Sequence, residues 1–284
     1  MSFEKQQTQL TALSKRLLEE GEVTAVVGFG QKGVTGMSPP YICSDPAGAG
    51  KLAWNDRCVP NISGYLLGRQ GKTAIAAKPC DARAVVSLVS ENQLKREDVH
   101  IIGLACPGMV DENGTPLPAC AECKVNLPPV CDTLIDDPDI PRKSREDAAR
   151  PVADTSPERF ASEMEKCILC YSCRQACYGC YCKTCFMDKG EPNWQPTTPD
   201  MGAKMTYHLG RAMHLAGRCV ECGACENACA SGVDIRYLIR EVTDFVEELY
   251  GYQAGMDLET EPAMLTYTTV DREVGFLGGD GDAK

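Results

Sequence analysis

Apolar and polar positions along the first half of the chain follow two periods. Over residues 3–20, Leu10, Leu13, Leu17 and Leu18 recur at helical spacing among polar neighbours, which predicts an amphipathic helix. The unbroken apolar run VTAVVGFG (23–30), closed by glycine, predicts a buried strand. GKTAIAAK (71–78) predicts a second strand and HIIGLAC (100–106) a third. Between those two, Asp81 can cap a helix over roughly 82–94. Strand, helix and strand at this spacing predict a βαβ unit and a parallel sheet, so residues 1–131 are expected to form an α/β domain. Residues 132–160 are charged, proline-containing and without periodicity, which predicts a linker. A second domain is expected over 161–250. Residues 201–218 read as helical, and in 234–251 Ile235, Leu238, Ile239, Val242, Phe245, Val246 and Leu249 form one apolar stripe. Residues 251–284, ending GGDGDAK, are expected to be a mobile tail.

Composition changes the picture through one residue type. The chain has 284 residues and 18 cysteines, seven between Cys43 and Cys131 and eleven between Cys167 and Cys229. A chain of this length builds a core without covalent staples. Its N-terminus, MSFEKQQTQLTALSKRLLEEGE, lacks the apolar segment of a signal peptide, and no apolar run reaches the roughly 18 residues of a membrane span. The expectation is a cytoplasmic chain without a membrane span, whose cysteines bind metal rather than form disulfides. A net charge of −11 argues against a nucleic-acid partner, which requires clustered cations, and suits a chain that meets other proteins.

The spacing of the cysteines names the metal. Cys167, Cys170, Cys173 and Cys177 form CxxCxxCxxxC, and Cys219, Cys222, Cys225 and Cys229 repeat it. That is the spacing of cubane 4Fe–4S ligation, in which three close thiolates wrap one cluster and the fourth reaches the other. The pattern therefore pairs Cys167, Cys170 and Cys173 with Cys229, and Cys219, Cys222 and Cys225 with Cys177. Zinc is the competing metal, but its sites take two CxxC pairs or add histidine. In the first domain, Cys106, Cys120, Cys123 and Cys131 can close a further site just past a strand end, a third 4Fe–4S cluster or a zinc ion. Cys180, Cys182 and Cys185 are candidates for an extra metal site, but three thiols cannot close a tetrahedron alone.

Two resemblances follow from these motifs. The stretch KPCDARAVVSLVSENQLKREDVHIIGLACPGMVD (78–111) resembles the N-terminal region of the beta subunits of deazaflavin-reducing hydrogenase and formate dehydrogenase. There a Pro-Cys precedes a helix, a strand ends Gly-Leu-x-Cys, and a CxxC follows. Lys78, Pro79, Cys80, Gly103, Leu104, Cys106, Cys120 and Cys123 match that pattern. In the second domain, 41 residues separate Cys177 from Cys219, as in the α-helical ferredoxins of heterodisulfide reductase C-type subunits and fumarate reductase iron–sulfur subunits. GRCVECGACENACASGVDI (217–235) is similar to iron–sulfur subunits of sulfhydrogenase, anaerobic sulfite reductase and heterodisulfide reductase. Two departures stand out. Tyr178 and Ala230, not proline, follow the fourth cysteines. The hydrogenase beta subunit continues into a flavin domain, whereas this chain passes to the ferredoxin-like module, so flavin is not expected.

The fold class expected is an α/β N-terminal domain followed by an α-helical ferredoxin-like domain with two 4Fe–4S clusters. The expected function is an electron-transfer iron–sulfur subunit, without catalytic residues of its own, in a cytoplasmic anaerobic oxidoreductase complex. By resemblance its partners are hydrogenase, formate dehydrogenase or a heterodisulfide-reductase-like flavoprotein. The alternatives are a flavin- or substrate-binding oxidoreductase subunit acting at the N-terminal domain, and a zinc- or redox-sensing interaction protein. GFGQKG (28–33) matches a dinucleotide-binding pattern, but VTGMSPPY follows where a helix is required. His208 and His214 are six residues apart, not the four of a helical metal pair, and His100 begins a strand; all three read as packing residues. Lys124 and Arg218 neighbour cysteine motifs and read equally as solvated cations or as partners of thiolate charge.

Overall fold

A five-stranded sheet organises the first half of the chain in the computed structural model, which describes residues 2–142, 154, 156–188 and 198–266. The strands are β1 (Ala25–Phe29), β2 (Pro40–Cys43), β3 (Thr73–Ala77), β4 (Val99–Leu104) and β5 (Thr133–Ile135), in the order β2-β1-β3-β4-β5. All neighbours are parallel except β2, which runs antiparallel along the edge. Every residue of β1 and β3 is buried, as their unbroken apolar runs require of strands covered on both faces. Helix α1 (Ser2–Glu19) covers one face. Its leucines pack into the core, and so does a polar residue: Gln6 Nε2 donates to the carbonyls of Ala105 and Ile135 at 2.9 and 3.2 Å, while its Oε1 accepts Trp54 Nε1 at 2.8 Å. Three hydrogen bonds thus satisfy one buried amide and pin the helix across the strand ends.

Helix α2 (Pro79–Ser90) joins β3 to β4. It begins three residues before the start expected from the sequence. Asp81 is not its N-cap but sits inside the first turn. There its Oδ2 accepts the Lys78 backbone N–H at 3.1 Å and its Oδ1 the Ile62 N–H at 3.0 Å. Lys78 Nζ lies 2.9 Å from Asp81 Oδ2, and both side chains are enclosed, 3% and 0% exposed. After β1 the chain turns at Gly33 and Gly36 and returns as β2; no helix follows GFGQKG, so the dinucleotide pattern has no helix to present to a phosphate.

The stretch expected as linker is shorter than 132–160. Residues 133–135 form β5, and Ile140 is buried. Residues 143–153 and 155 lie outside the described residues, as do 267–284 and with them the expected mobile GGDGDAK. Residues 251–256 are no free tail. Tyr252 and Ala254 are buried against α2 with Ala84 and Leu88, and a Cβ on Gly255 (φ +71°) would strike the Arg83 carbonyl.

The second half is helical: α4 (Pro157–Lys166), α6 (Met201–His214) and α8 (Ile235–Tyr250) pack together. The short turns α5 (Ser172–Gln175) and α7 (Ala224–Asn227) sit inside the two cysteine motifs, and α3 (Pro118–Ala121) inside the first-domain CxxC segment. The apolar stripe of α8 buries Ile235, Ile239 and Val246, whereas Phe245 faces outward. Among the described residues no helix is long and apolar enough to cross a membrane.

Candidate metal centres

The two cysteine motifs fold into matching loops. Leu169 (φ +54°) and Tyr171 (φ +60°) in the first correspond, 52 positions on, to Glu221 (φ +57°) and Gly223 (φ +71°) in the second. A left-handed conformation costs a non-glycine residue roughly 1–2 kcal/mol. Leu169, Tyr171 and Glu221 are three of the four described non-glycine residues that adopt it, so the strain is concentrated in these loops. Such turns let neighbouring backbone N–H groups face one side and form an anion-binding hollow. The N–H of Leu169 points to Cys167 Sγ at 3.3 Å and that of Glu221 to Cys219 Sγ at 3.3 Å. Glycine at 223 is required twice over, because a Cβ there would come within 2.7 Å of Ala119 Cβ in the first domain.

Thiols of the two motifs intermix. Cys167, Cys170, Cys173 and Cys229 line one small cavity, closed by Tyr207 and His208. Tyr207 Oη and Cys173 Sγ are 3.3 Å apart, and His208 Nε2 and Cys167 Sγ also 3.3 Å. Burial, with the charge of Arg211, pushes His208 down to about 4, so it stays neutral. His214 instead packs edge-on against Phe186, away from the cysteines. Around the second loop, Cys177 lies within electrostatic reach of both Cys222 and Cys225. Burial pushes Cys222 up to about 12 and Cys225 to about 11, and holds Cys219 well above its ordinary range. A hydrogen bond with Cys180, and then burial, raise Cys177 as well. Tyr178, where ferredoxins place proline, is buried against α2, and its hydroxyl donates to the Arg218 carbonyl, tying the two loops together.

The first-domain site differs from the one the spacing suggested. Cys80, Cys106, Cys120 and Cys123 line a cavity of about 650 Å³ between the two halves of the chain; Cys131 does not. The strand geometry explains the exclusion. Cys131 packs flat on β4, where a Cβ on Gly103 would lie 2.9 Å from its own Cβ. Cys80 opens α2, in the first turn after β3, and its thiol feels those of Cys106 and Cys222. Cys222, of the second loop, lines the same cavity. Arg236 and Arg240 of α8 meet Glu122 Oε2 at 2.7 and 2.5 Å beside it, and Arg83 Nε donates to the Ala254 carbonyl at 3.0 Å. Arg218 Nε pairs with Glu91 at 2.6 Å, so it is a bridge between domains rather than a solvated cation. His100 in β4 contacts Thr133 Oγ1 at 3.2 Å, a packing role.

Cys180, Cys182 and Cys185 are not gathered into a site. Cys180 is drawn to Cys177 and Arg211, which with the Cys177 hydrogen bond leading lower it to about 7; Cys182 is exposed; Cys185 lies beside Arg174. All eighteen cysteines are free thiols. Among the described residues, no three His, Cys, Asp or Glu side chains converge closely enough to hold a single metal ion. Cys167, Cys170, Cys173 and Cys229 line one cavity and Cys80, Cys106, Cys120, Cys123 and Cys222 another. Four sulfurs around a cavity, backbone N–H groups aimed at sulfur and a buried guanidinium are a donor set suited to an anionic polynuclear cluster.

The chain is 22% identical over 358 aligned residues to the F420-dependent formate dehydrogenase subunit beta of Methanocaldococcus jannaschii, covering 89% of this chain and 93% of that protein. It is a homologue of that subunit. It is also 35% identical over 109 residues to the F420-dependent formate dehydrogenase 1 subunit beta of Methanococcus maripaludis, covering 36% of this chain and 27% of that protein. The first alignment is longer than the 284 residues of this chain, so it must open gaps in it. No family model matches the chain.

Proposed function

We propose that the chain is the iron–sulfur electron-transfer subunit of an anaerobic oxidoreductase complex of formate dehydrogenase type. The observation that carries this reading is the shared wall: Cys222 of the second loop borders the cavity lined by Cys80, Cys106, Cys120 and Cys123. The Ala119–Gly223 contact brings the two cysteine-bearing backbones together there. The exchange of Cys177 and Cys229 between loops then joins the second set to the first. Three candidate sets thus follow one another without a break, from the interdomain cavity to the exposed Cys170 and Ile168, the latter 62% exposed. When bound, cubanes at these sets supply one-electron storage and transfer. The protein's part is to bury the thiols, aim N–H groups at sulfur and hold the two halves in register. A catalytic subunit, as the name of the relatives implies, would dock at one end and an acceptor at the other.

Iron, sulfide and zinc content of anaerobically purified chain, with low-temperature EPR after reduction, tests this. About twelve irons per chain support three clusters, and about eight support the second-domain pair alone. Zinc without sulfide refutes the reading. A second reading, a flavin or small substrate beside the first-domain thiols, draws on the size of the interdomain cavity, about 650 Å³ and within the range of small-molecule sites. Flavin released on denaturing the purified protein would favour it.

A further inference from the structure

Arg211, on α6, is 3% exposed and sits where the two second-domain loops meet. Its Nη2 donates to the Cys173 carbonyl at 3.1 Å. Its Nε and Nη1 reach no oxygen or nitrogen acceptor, the thiols of Cys180 and Cys225 are the hydrogen-bonding groups set against the guanidinium, and among the described residues no carboxylate pairs with it. A buried guanidinium does not go without a carboxylate for no reason: unpaired charge in the interior is far costlier than an unmet neutral donor. The groups around it are sulfurs, those of Cys177 and Cys225 in the second set, Cys173 in the first, and Cys180. An arginine guanidinium keeps its proton in a protein, so the charge at this position is fixed. The first set has the half-buried Lys204 within reach of Cys167 but, among the described residues, no enclosed guanidinium of its own.

We infer that Arg211 is a positioning residue that sets the two second-domain clusters apart in potential, its Nε and Nη1 donating to sulfur of the cluster held by Cys177, Cys219, Cys222 and Cys225. This rests on the electron-transfer reading. Reduction adds one electron and no proton to a cluster, and the added charge spreads over sulfur. A fixed cation with N–H groups aimed at sulfur stabilises the reduced form more than the oxidised one. The second set therefore takes the electron more readily than the first, and the middle of the chain of sites holds it.

The test uses the full chain with its clusters in place. Midpoint potentials are read by EPR in dithionite titrations of wild type, Arg211→Gln and Arg211→Lys. In Arg211→Gln one second-domain cluster should become about tenfold harder to reduce, about 59 mV for one electron, while the other moves less than half as much. Arg211→Lys keeps the charge but loses the fork of donors, and should fall between. Potentials that stay within twofold of wild type in both variants overturn the inference. A wild type without reducible clusters refutes the electron-transfer reading itself, a separate result. Should both variants lose iron, circular dichroism decides. Native helix content in a cluster-free chain supports Arg211 as a cluster partner, and lost helix content reduces it to a folding role and overturns the inference.

Discussion

Exchanging the roles expected of Cys80 and Cys131 gives the most direct test of the first-domain site. Both are cysteines near strand ends, and spacing alone favours Cys131. The structure puts Cys80 on the cavity with Cys106, Cys120 and Cys123, and Cys131 against Gly103 of β4. Cys80→Ala should remove one ligand of a four-ligand set, and a cubane held by three thiolates is lost or degraded. The expected change is about four irons and four sulfides out of about twelve of each. Cys131→Ala removes one half-buried sulfur that faces no other candidate ligand, so iron should stay at the wild-type figure. Its stability cost should be of the order of 1 kcal/mol, as for an ordinary partly buried substitution. Iron and acid-labile sulfide assays on anaerobically prepared protein read the difference, and EPR spin quantitation checks which signal disappears. If Cys131→Ala loses four irons and Cys80→Ala keeps them, the geometric argument is wrong and the spacing argument right.

Three further outcomes are expected. Asp81→Asn removes the carboxylate charge that pairs the buried Lys78 ammonium, leaving it with neutral acceptors such as the Pro60 carbonyl, at 2.8 Å, and with the Phe29 ring, and should cost about 3–5 kcal/mol in denaturant unfolding; a loss under about 1 kcal/mol would contradict the pairing. Gly223→Ala forces a Cβ to 2.7 Å from Ala119 at φ +71°, and should both destabilise the chain by about 1–2 kcal/mol and slow electron transfer between the halves in stopped-flow reduction; unchanged rates would separate that contact from transfer. Burial raises the Glu122 carboxyl, but Arg236 and Arg240 outweigh it and hold the group below its usual range. Its contribution is thus present above the unfolded carboxylate range and is lost as pH falls through the lower folded value. Glu122→Gln should cost about 1.5–3 kcal/mol near neutral pH and flatten the acid side of the stability profile, measured as unfolding midpoint against pH.

Periodicity located β1, β3 and β4 and the helices α1, α6 and α8, because buried strands read as apolar runs and those helices carry a stripe, but it missed the edge strand β2 (Pro40–Cys43) and α4. It misplaced the start of α2, since Asp81 bonds backward to Lys78 from within the helix, a capping-box geometry that mimics a later start. It also took 133–135 for linker, since a three-residue edge strand carries too little pattern to read. Spacing set out both second-domain motifs, and the structure places Cys229 on the small cavity with Cys167, Cys170 and Cys173, the grouping expected from spacing. Cys131 lies off the cavity, because sequence proximity to Cys123 says nothing of which face of β4 it lies on. Cys80, contained in the resemblance to beta subunits, lines the cavity instead. Arg211 and the left-handed Leu169, Tyr171 and Glu221 left no trace at all. A buried cation looks like any surface arginine in sequence, and no residue type announces a strained φ except glycine.

The exchange of thiols between the loops also bears on how the protein is made. The loop carrying Cys167, Cys170 and Cys173 waits for Cys229, 56 residues after Cys173, and at 5–20 residues per second that is on the order of several seconds of synthesis. Until then three buried-site thiols lie open on the nascent chain with no fourth to close them. On the proposed ligand sets the second, Cys177 with Cys219, Cys222 and Cys225, is complete in the chain before the first, which must wait for Cys229, so the two sites would load in that order. A truncation between 178 and 218 should therefore leave neither set complete, whereas one that removes Cys229 but keeps Cys225 should leave the second set alone.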